Sequence, residues 1–363
     1  MALNSDFAFK FGCGRYLQEK DAIKKHLLTE LRRFGSKALF ISGKNGFKAA
    51  GEKIKASLND SGFEYELKIF ESTPCFENAD EFVNYAKENG FNIICGVGGG
   101  VLGDTAKLVA SRSDLPLIQI PTSSSTCVAA TPLSVLYDRE THATIGSVKL
   151  MTEADAVIVD LDIMINQPKR LFWAGVMDSM AKMIEITHRT KGKKDFEIPL
   201  GLEMAYDMSK TVYNFFYEKQ TSLSSALEGK NITFDFERAV FYAIAVTGII
   251  SGISKGSNQC AIAHKFYEQT RSFFYEETKD FVHGELVALG LVIQLAYNEL
   301  DYQAMIDLLD KMKLPTKMSG INLKICDETL ETFINELSAS TAIMDTSDIS
   351  KNKVKKALLT IYK

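Results

Sequence analysis

Along the first 160 residues the chain alternates between two hydrophobic periods. Short apolar runs bounded by Gly, Pro or Asp, "KALFISG" (37–43), "NIICGVG" (92–98), "PLIQIP" (116–121) and "ADAVIVD" (154–160), have the length of strands rather than helices. "EYELKIF" (64–70) alternates with period two and predicts a further strand. Between them, "AAGEKIKASLNDSG" (49–62) and "NADEFVNYAKENG" (78–90) place apolar residues every three or four positions and end on glycine. The second also opens on Asn and Asp, which cap helix N-termini. Another helix is expected from about Gly103. Strand–helix alternation predicts a mostly parallel sheet with helices on both faces.

After Pro168 the period changes. From Arg170 to Lys363 nearly every long segment has helical spacing, and no strand pattern is visible. The expected division is therefore an α/β domain over 1–165 and an all-α domain over 166–363. "AVFYAIAVTGIISGI" (239–253) is shorter than the roughly 20 apolar residues that span a bilayer, and reads as a buried core helix. "HRTKGKKDFE" (188–197) reads as a solvated connection between helices.

Composition narrows the class. A chain of 363 residues exceeds one average domain, and 46% hydrophobic with 24% charged residues suits a globular enzyme. The net charge of −4 and the lack of a basic stripe argue against a nucleic-acid partner. "MALNSDFAFKFG" lacks a basic region followed by an apolar run, so no signal peptide and no membrane association are expected. The six cysteines include no C-x-x-C pair, which argues against a disulfide framework or structural zinc and for a reducing cytoplasm.

Two loops carry candidate chemistry. Gly98, Gly100 and Gly103 have G-x-G-x-x-G spacing between a strand and a helix, where backbone N–H groups and the helix N-terminus can hold a pyrophosphate. The loop follows the third or fourth strand rather than the first, and no carboxylate ends the next strand, so it departs from the usual Rossmann position. A tight strand-to-helix turn is the alternative. "PTSSST" (121–126) follows the next strand and is expected at the same sheet edge.

Five histidines are present. His26 lies in a charged helix and is expected at the surface, His142 in a loop and His188 at a polar helix end. His264 ("CAIAHKFYEQT") and His283 ("FVHGELVALG") lie in apolar sequence on consecutive helices. Asp178, in "WAGVMDSMAKMIE", is a carboxylate among apolar neighbours, costly to bury unless paired or bound to a metal. One Asp and two His make a three-ligand site with an open position, the pattern of catalytic zinc. Each histidine alone also fits a satisfied core residue.

At these residues the sequence resembles the iron-containing (group III) alcohol dehydrogenase superfamily, in its glycerol dehydrogenase branch. "GVGGGVLGDTAK", "IPTSSSTCVAATPLSVLY", "AGVMDSMAKMIE", "AIAHKFYEQT" and "FVHGELVALGL" occur in family order over nearly the whole chain. The resemblance implies an N-terminal dinucleotide-binding α/β domain and a helical metal-binding and substrate domain. It implies that Gly98, Gly99, Gly100, Val101 and Leu102 cradle the pyrophosphate. By the same resemblance Thr122, Ser123, Ser124, Ser125, Thr131, Leu133 and Tyr137 line the nicotinamide side. Asp178, His264 and His283 would be catalytic and hold one divalent metal. Iron-dependent members carry a further histidine where this chain has Lys182, so the resemblance points to zinc, with iron the alternative. Where many relatives have a histidine, Tyr267 stands, for which packing or proton relay are the open readings.

Two departures bear on specificity. Glycerol dehydrogenases place an aspartate against glycerol where this chain has Cys127. A thiol is a weak acceptor, so the pattern is similar instead to the hydroxycarboxylate dehydrogenase A subgroup, which reduces 2-oxo acids; simple packing is the other reading of Cys127. NAD-using members end the "ALFISG" strand on an aspartate; here Gly43 and Lys44 follow, which leans the cofactor from NAD to NADP. The expected function is NAD(P)-linked hydride transfer on a small 2-oxo or 2-hydroxy acid. Glycerol and dihydroxyacetone are the alternative substrates, and a dehydroquinate synthase-like lyase the more distant reading. Related enzymes are homo-oligomers, commonly dimers or octamers, and the same is expected here.

Overall fold

A computed structural model describes residues 9–150, 153–256, 259–324, 326–339 and 348–362. Its central strands are those whose residues are apolar on both faces. β2 (Lys37–Ser42), β4 (Ile93–Gly98), β5 (Leu117–Pro121) and β8 (Ala156–Asp160) are buried throughout except at Lys37. Continuous burial of this kind belongs to parallel sheets covered by helices. The amphipathic β3 (Glu64–Ile69) forms one edge, and β1 (Arg15–Glu19), which the apolar pattern does not announce, forms the other. The order is β1-β8-β5-β4-β2-β3, every pair parallel.

Helices α1 (Ala22–Arg32), α2 (Lys44–Leu58), α3 (Phe76–Glu88) and α4 (Gly100–Ser113) fill the connections, and the single-turn α5 (Leu161–Met164) follows β8. Ile23, Leu27 and Leu31 of α1 and Ile54 of α2 join Phe40, Ile93, Ile118 and Ile158 of the sheet in one fully buried cluster. Both α2 and α4 start ahead of the predicted positions, because glycines there hide the helical period. Gly46 is needed in α2, since a Cβ would stand 2.7 Å from the Val97 carbonyl oxygen. An antiparallel hairpin, β6 (Leu133–Tyr137) and β7 (Thr144–Lys149), also went unannounced; His142 lies in its turn with φ +57°.

The chain divides into two units, and the division differs from the expected 1–165 and 166–363. One unit is Met1–Pro168 together with Glu218–Gly252; the other is Lys169–Tyr217 with Ile253–Lys363. The inserted stretch takes the end of α7 (Leu202–Gly229), α8 (Phe234–Phe241), a π-helical turn (Tyr242–Val246) and most of α9 (Thr247–Ile253) into the first unit. It is fixed there by close packing that periodicity cannot reveal. A Cβ on Gly248 would lie 2.8 Å from Ala130, Phe241 meets the Tyr16 ring edge-on at 5.6 Å, and Gln18 donates to the Glu237 carbonyl at 2.8 Å. The π turn also joins α8 and α9 into a helical run, Phe234–Ile253, of 20 residues. By length and composition that run is long and apolar enough to cross a membrane, contrary to the expectation from sequence, and 67% of its most apolar window is buried within the protein.

Among its described residues the second unit has no strand, and its α-helices are α6 (Lys169–Thr190), the start of α7, α10 (Ile262–Phe273), α11 (Tyr275–Thr278), α12 (His283–Tyr297), α13 (Gln303–Lys311), α14 (Asp327–Ala339) and α15 (Asp348–Tyr362). Every residue from 284 to 295 of α12 is buried, as a helix apolar all round must be. Helices α6 and α10 pack on it at glycines. A Cβ on Gly284 would lie 1.9 Å from the Ala174 carbonyl, and one on Gly290 2.4 Å from that of Ala263. These crossings bring the three helices close enough for side chains from each to meet.

Candidate functional site

The first unit carries a cradle made of backbone. β4 ends at Gly98 with φ +150°, Gly99 is extended, and α4 starts at Gly100 with no side chain capping its first N–H groups. Uncapped amides and the positive end of a helix dipole favour an anion. The glycines have separate reasons. Gly98 needs its backbone conformation, and a Cβ on Gly103 would lie 2.8 Å from Val128. Gly99 faces open space, its added Cβ finding only Ser123 Oγ, at 3.6 Å. Val101 is exposed and Leu102 half-buried behind the turn.

That contact brings the serine loop to the glycine loop, as the sequence predicted. Thr122 donates its N–H to the Gly98 carbonyl at 3.0 Å, and Ser123 and Ser125 pair through their hydroxyls at 3.1 Å. Ser124 is held by Gln167, whose Oε1 accepts from the Ser124 N–H at 2.8 Å and whose amide lies 3.1 Å from the hydroxyl. Sequence reasoning missed Gln167, which is 43 residues away. Thr131 and Leu133 are also tied to α4: the buried Lys107 donates to both their carbonyls while pairing with Asp104 at 3.0 Å. Burial raises the Asp104 carboxyl above its usual range, with Lys107 opposing. Tyr137 ends β6, its N–H bound to the Pro74 carbonyl. Cys127 is buried, forms no disulfide and stands at the start of a short 3-10 turn.

Gly43 stands against the same helix, since a Cβ there would approach Leu102 Cδ2 at 3.2 Å. Lys44, the next residue, is exposed and lies 2.6 Å from the Glu71 carboxylate, which follows β3. The sequence reading had no place for Glu71.

The second unit brings together the three predicted metal ligands. Asp178 lies mid-way along α6, His264 in the first turn of α10 and His283 at the start of α12. One donor atom from each lies within 4.8 Å of the other two. Asp178 Oδ1 is 3.2 Å from His264 Nε2 and 3.5 Å from His283 Nε2. Asp178 and His264 are buried, and His283 is half-buried with the Tyr267 ring edge-on at 4.2 Å.

Two further α6 residues complete this cluster, both on the face of Asp178. Glu185 accepts from His264 Nδ1 and from the backbone N–H of His264 and Ala261, at 3.0 and 2.7 Å. Lys182 Nζ lies 3.1 Å from Asp178 Oδ1 and 2.8 Å from His264 Nε2. A carboxylate only accepts, so Nδ1 donates to Glu185, while Nε2 faces both Asp178 Oδ1 and Lys182 Nζ. Burial lowers the proton affinity of His264, but Glu185 outweighs it and brings its pKa up to about 9. Burial likewise pushes His283 down. It raises Asp178 too, yet Lys182 and the two histidines hold that carboxyl well below the usual range.

A second group of donors, Asp21, Asp160 and Asp162, converges on Lys53 at 3.0 to 3.4 Å and is met by that ammonium. The other histidines lie apart from this cluster: His142 is in the β6–β7 turn and His188 near the end of α6, as the sequence suggested. His188 is buried, bonded to Asn298 at 2.9 Å and edge-on to Tyr297, because the helix end that bears it is covered. His26 is half-buried and pairs with Glu19 at 2.6 Å.

Comparison with known proteins agrees with this arrangement. The iron-containing alcohol dehydrogenase family model matches residues 13–161. A glycerol dehydrogenase of Pseudomonas putida is 28% identical over 316 residues, 85% of this chain and 84% of that protein. Hydroxycarboxylate dehydrogenase A of Escherichia coli K12 is 27% identical over 262 residues, 72% of this chain and 70% of that one. The crystal structure of a probable glycerol dehydrogenase from Sinorhizobium meliloti has the same fold, with a TM-score of 0.80, 23% identity and coverage of 98% and 97% of the two chains. Over most of its length the chain is thus similar to dehydrogenases of the iron-containing alcohol dehydrogenase superfamily, in its glycerol dehydrogenase branch, and it shares their fold.

Proposed function

We propose that the protein transfers hydride reversibly between a nicotinamide cofactor and a small 2-oxo or 2-hydroxy acid, with one divalent metal held by Asp178, His264 and His283. The observation that carries this reading is the convergence of those donors from three helices, with Glu185 orienting His264. One carboxylate and two imidazoles suit zinc, and Lys182 stands where a fourth nitrogen ligand would favour iron. A metal bound there supplies Lewis acidity toward the substrate's oxygen. The nicotinamide supplies or accepts the hydride.

The chain's own residues do the rest. The α4 amides and the Gly98–Gly100 turn bind the pyrophosphate, and the Ser123–Ser125 hydroxyls face the neighbouring part of the cofactor. Glu185 fixes the His264 tautomer, as partners of ligating histidines commonly do. Cys127 offers a polyol no strong acceptor, which supports the oxo acid over glycerol. At the adenosine end, Glu71 can receive a ribose hydroxyl and Lys44 a 2′-phosphate, so both NAD and NADP are accepted and the pair sets their ratio; Lys44 tilts it toward NADP.

The test is oxidation of NADPH and NADH, separately, by zinc-loaded protein with 2-oxobutanoate, 2-oxoglutarate, dihydroxyacetone and a simple aldehyde. Preference for a 2-oxo acid is expected. Preference for dihydroxyacetone overturns the substrate assignment in favour of glycerol.

A further inference from the structure

Lys107 is a buried ammonium whose presence the proposed chemistry does not explain. It lies on α4 beyond the Gly100 turn, 2% exposed, beside the buried apolar residues Ala106, Leu108, Val109 and Ala110. An apolar side chain there would fill the space without desolvating a charge. What Lys107 adds is a set of bonds to one short stretch of backbone. Its Nζ donates to the Thr131 carbonyl at 3.2 Å, to Thr131 Oγ1 at 3.4 Å and to the Leu133 carbonyl. Asp104, one helical turn back, supplies the opposite charge at 3.0 Å.

The place of that stretch in the sheet shows what the bonds serve. β2, β4 and β5 are parallel neighbours, so their C-terminal ends follow one another along one edge. In the proposed function the adenosine lies at the end of β2, by Lys44, and the pyrophosphate at the end of β4. The nicotinamide then falls beyond β5, against residues 122–133. The first part of that segment is fixed by other contacts: the Thr122 N–H on the Gly98 carbonyl at 3.0 Å, Val128 against Gly103 and Ala130 against Gly248. At Thr131 and Leu133 the bonds to α4 come from Lys107.

We infer that Lys107 is a positioning residue: it fixes the backbone of Thr131 and Leu133 against α4 as a wall for the nicotinamide half of the cofactor, while the adenosine and pyrophosphate half is held without it. This inference rests on the dehydrogenase reading of the function. The experiment titrates wild-type and Lys107→Met proteins, as full chains, with NADH and with ADP-ribose, which lacks the nicotinamide. Methionine keeps an unbranched stem. Burial already raises the Asp104 carboxyl, so that without Lys107 it takes up a proton and is left neutral. NADH binding should weaken roughly tenfold, about the loss of one charge-assisted bond, and ADP-ribose binding should stay within about twofold.

A merely structural lysine would weaken both ligands alike or neither, and either result overturns the role of Lys107 alone. Wild-type protein that binds neither NADH nor ADP-ribose overturns the dehydrogenase reading, and the inference with it. Should Lys107→Met not fold, Lys107→Gln, shorter and uncharged, is read by the same two titrations.

Discussion

In the proposed function the glycine loop and the Asp178 cluster have the same task, holding charge, and meet it with opposite materials. The loop uses backbone: uncapped amides at the start of α4, with glycines to keep side chains out of the way. The cluster uses side chains: a carboxylate and two imidazoles from three helices, supported by Glu185 and Lys182. A backbone site tolerates changes in what surrounds it but not in its conformation. A side-chain site fails when one donor is removed, because the others are then buried without compensation. The difference can be broken or sharpened by substitution.

The largest effect is expected at Asp178. Asp178→Ala should lower kcat/KM by about a thousandfold or more, since several kcal/mol of transition-state stabilisation depend on the metal. Metal content should fall with it, while circular dichroism shows the helical fold intact. Retained wild-type turnover in this variant would remove Asp178 from the site.

Glu185→Gln comes next. Loss of a partner to a ligating histidine typically weakens metal binding 10- to 100-fold. The same variant tests the His264 pKa. Its value near 9 exceeds the unfolded value of 6.5, so the folded metal-free protein binds the extra proton. That contribution to stability is full below 6.5 and is lost as pH rises through about 9. The melting temperature of chelator-treated protein should fall across that window, and the fall should flatten in Glu185→Gln. A slope unchanged by the substitution contradicts the assignment.

In the backbone site, Gly98→Ala should strain a φ of +150° and press a Cβ to 3.0 Å from Leu102. Strain of order 1–3 kcal/mol translates into cofactor binding weakened roughly 5- to 100-fold. NADH titration by fluorescence measures it, and zinc stoichiometry should not change. The smallest effect is at the adenosine end. Glu71→Gln should shift preference toward NADP and Lys44→Ala toward NAD, each by a few-fold, about what an exposed charge contributes. Equal shifts for both cofactors would dissociate the pair from cofactor choice.

The same contrast governs what the sequence made legible. Buried strands and the glycine loop are contiguous patterns, and Asp178, His264 and His283 stand out as polar residues in apolar sequence. β1 did not, because an edge strand such as "RYLQE" needs no apolar face. The insertion of 218–252 into the first unit depends on packing at Gly248 and Gly252, which leaves no periodic trace. Glu185 lies seven residues after Asp178 on the same helical face; that spacing was readable, but its bond to a residue 79 positions away was not. Glu71 and Gln167 belong to the same class. Their roles come from tertiary contacts with residues that the local pattern already marked.

The most direct test of the account is an anomalous difference map at the zinc edge, from crystals of the full chain grown with zinc. A single strong peak bonded to Asp178, His264 and His283 is the expected result. No peak there, or a peak only among Asp21, Asp160 and Asp162, would contradict it.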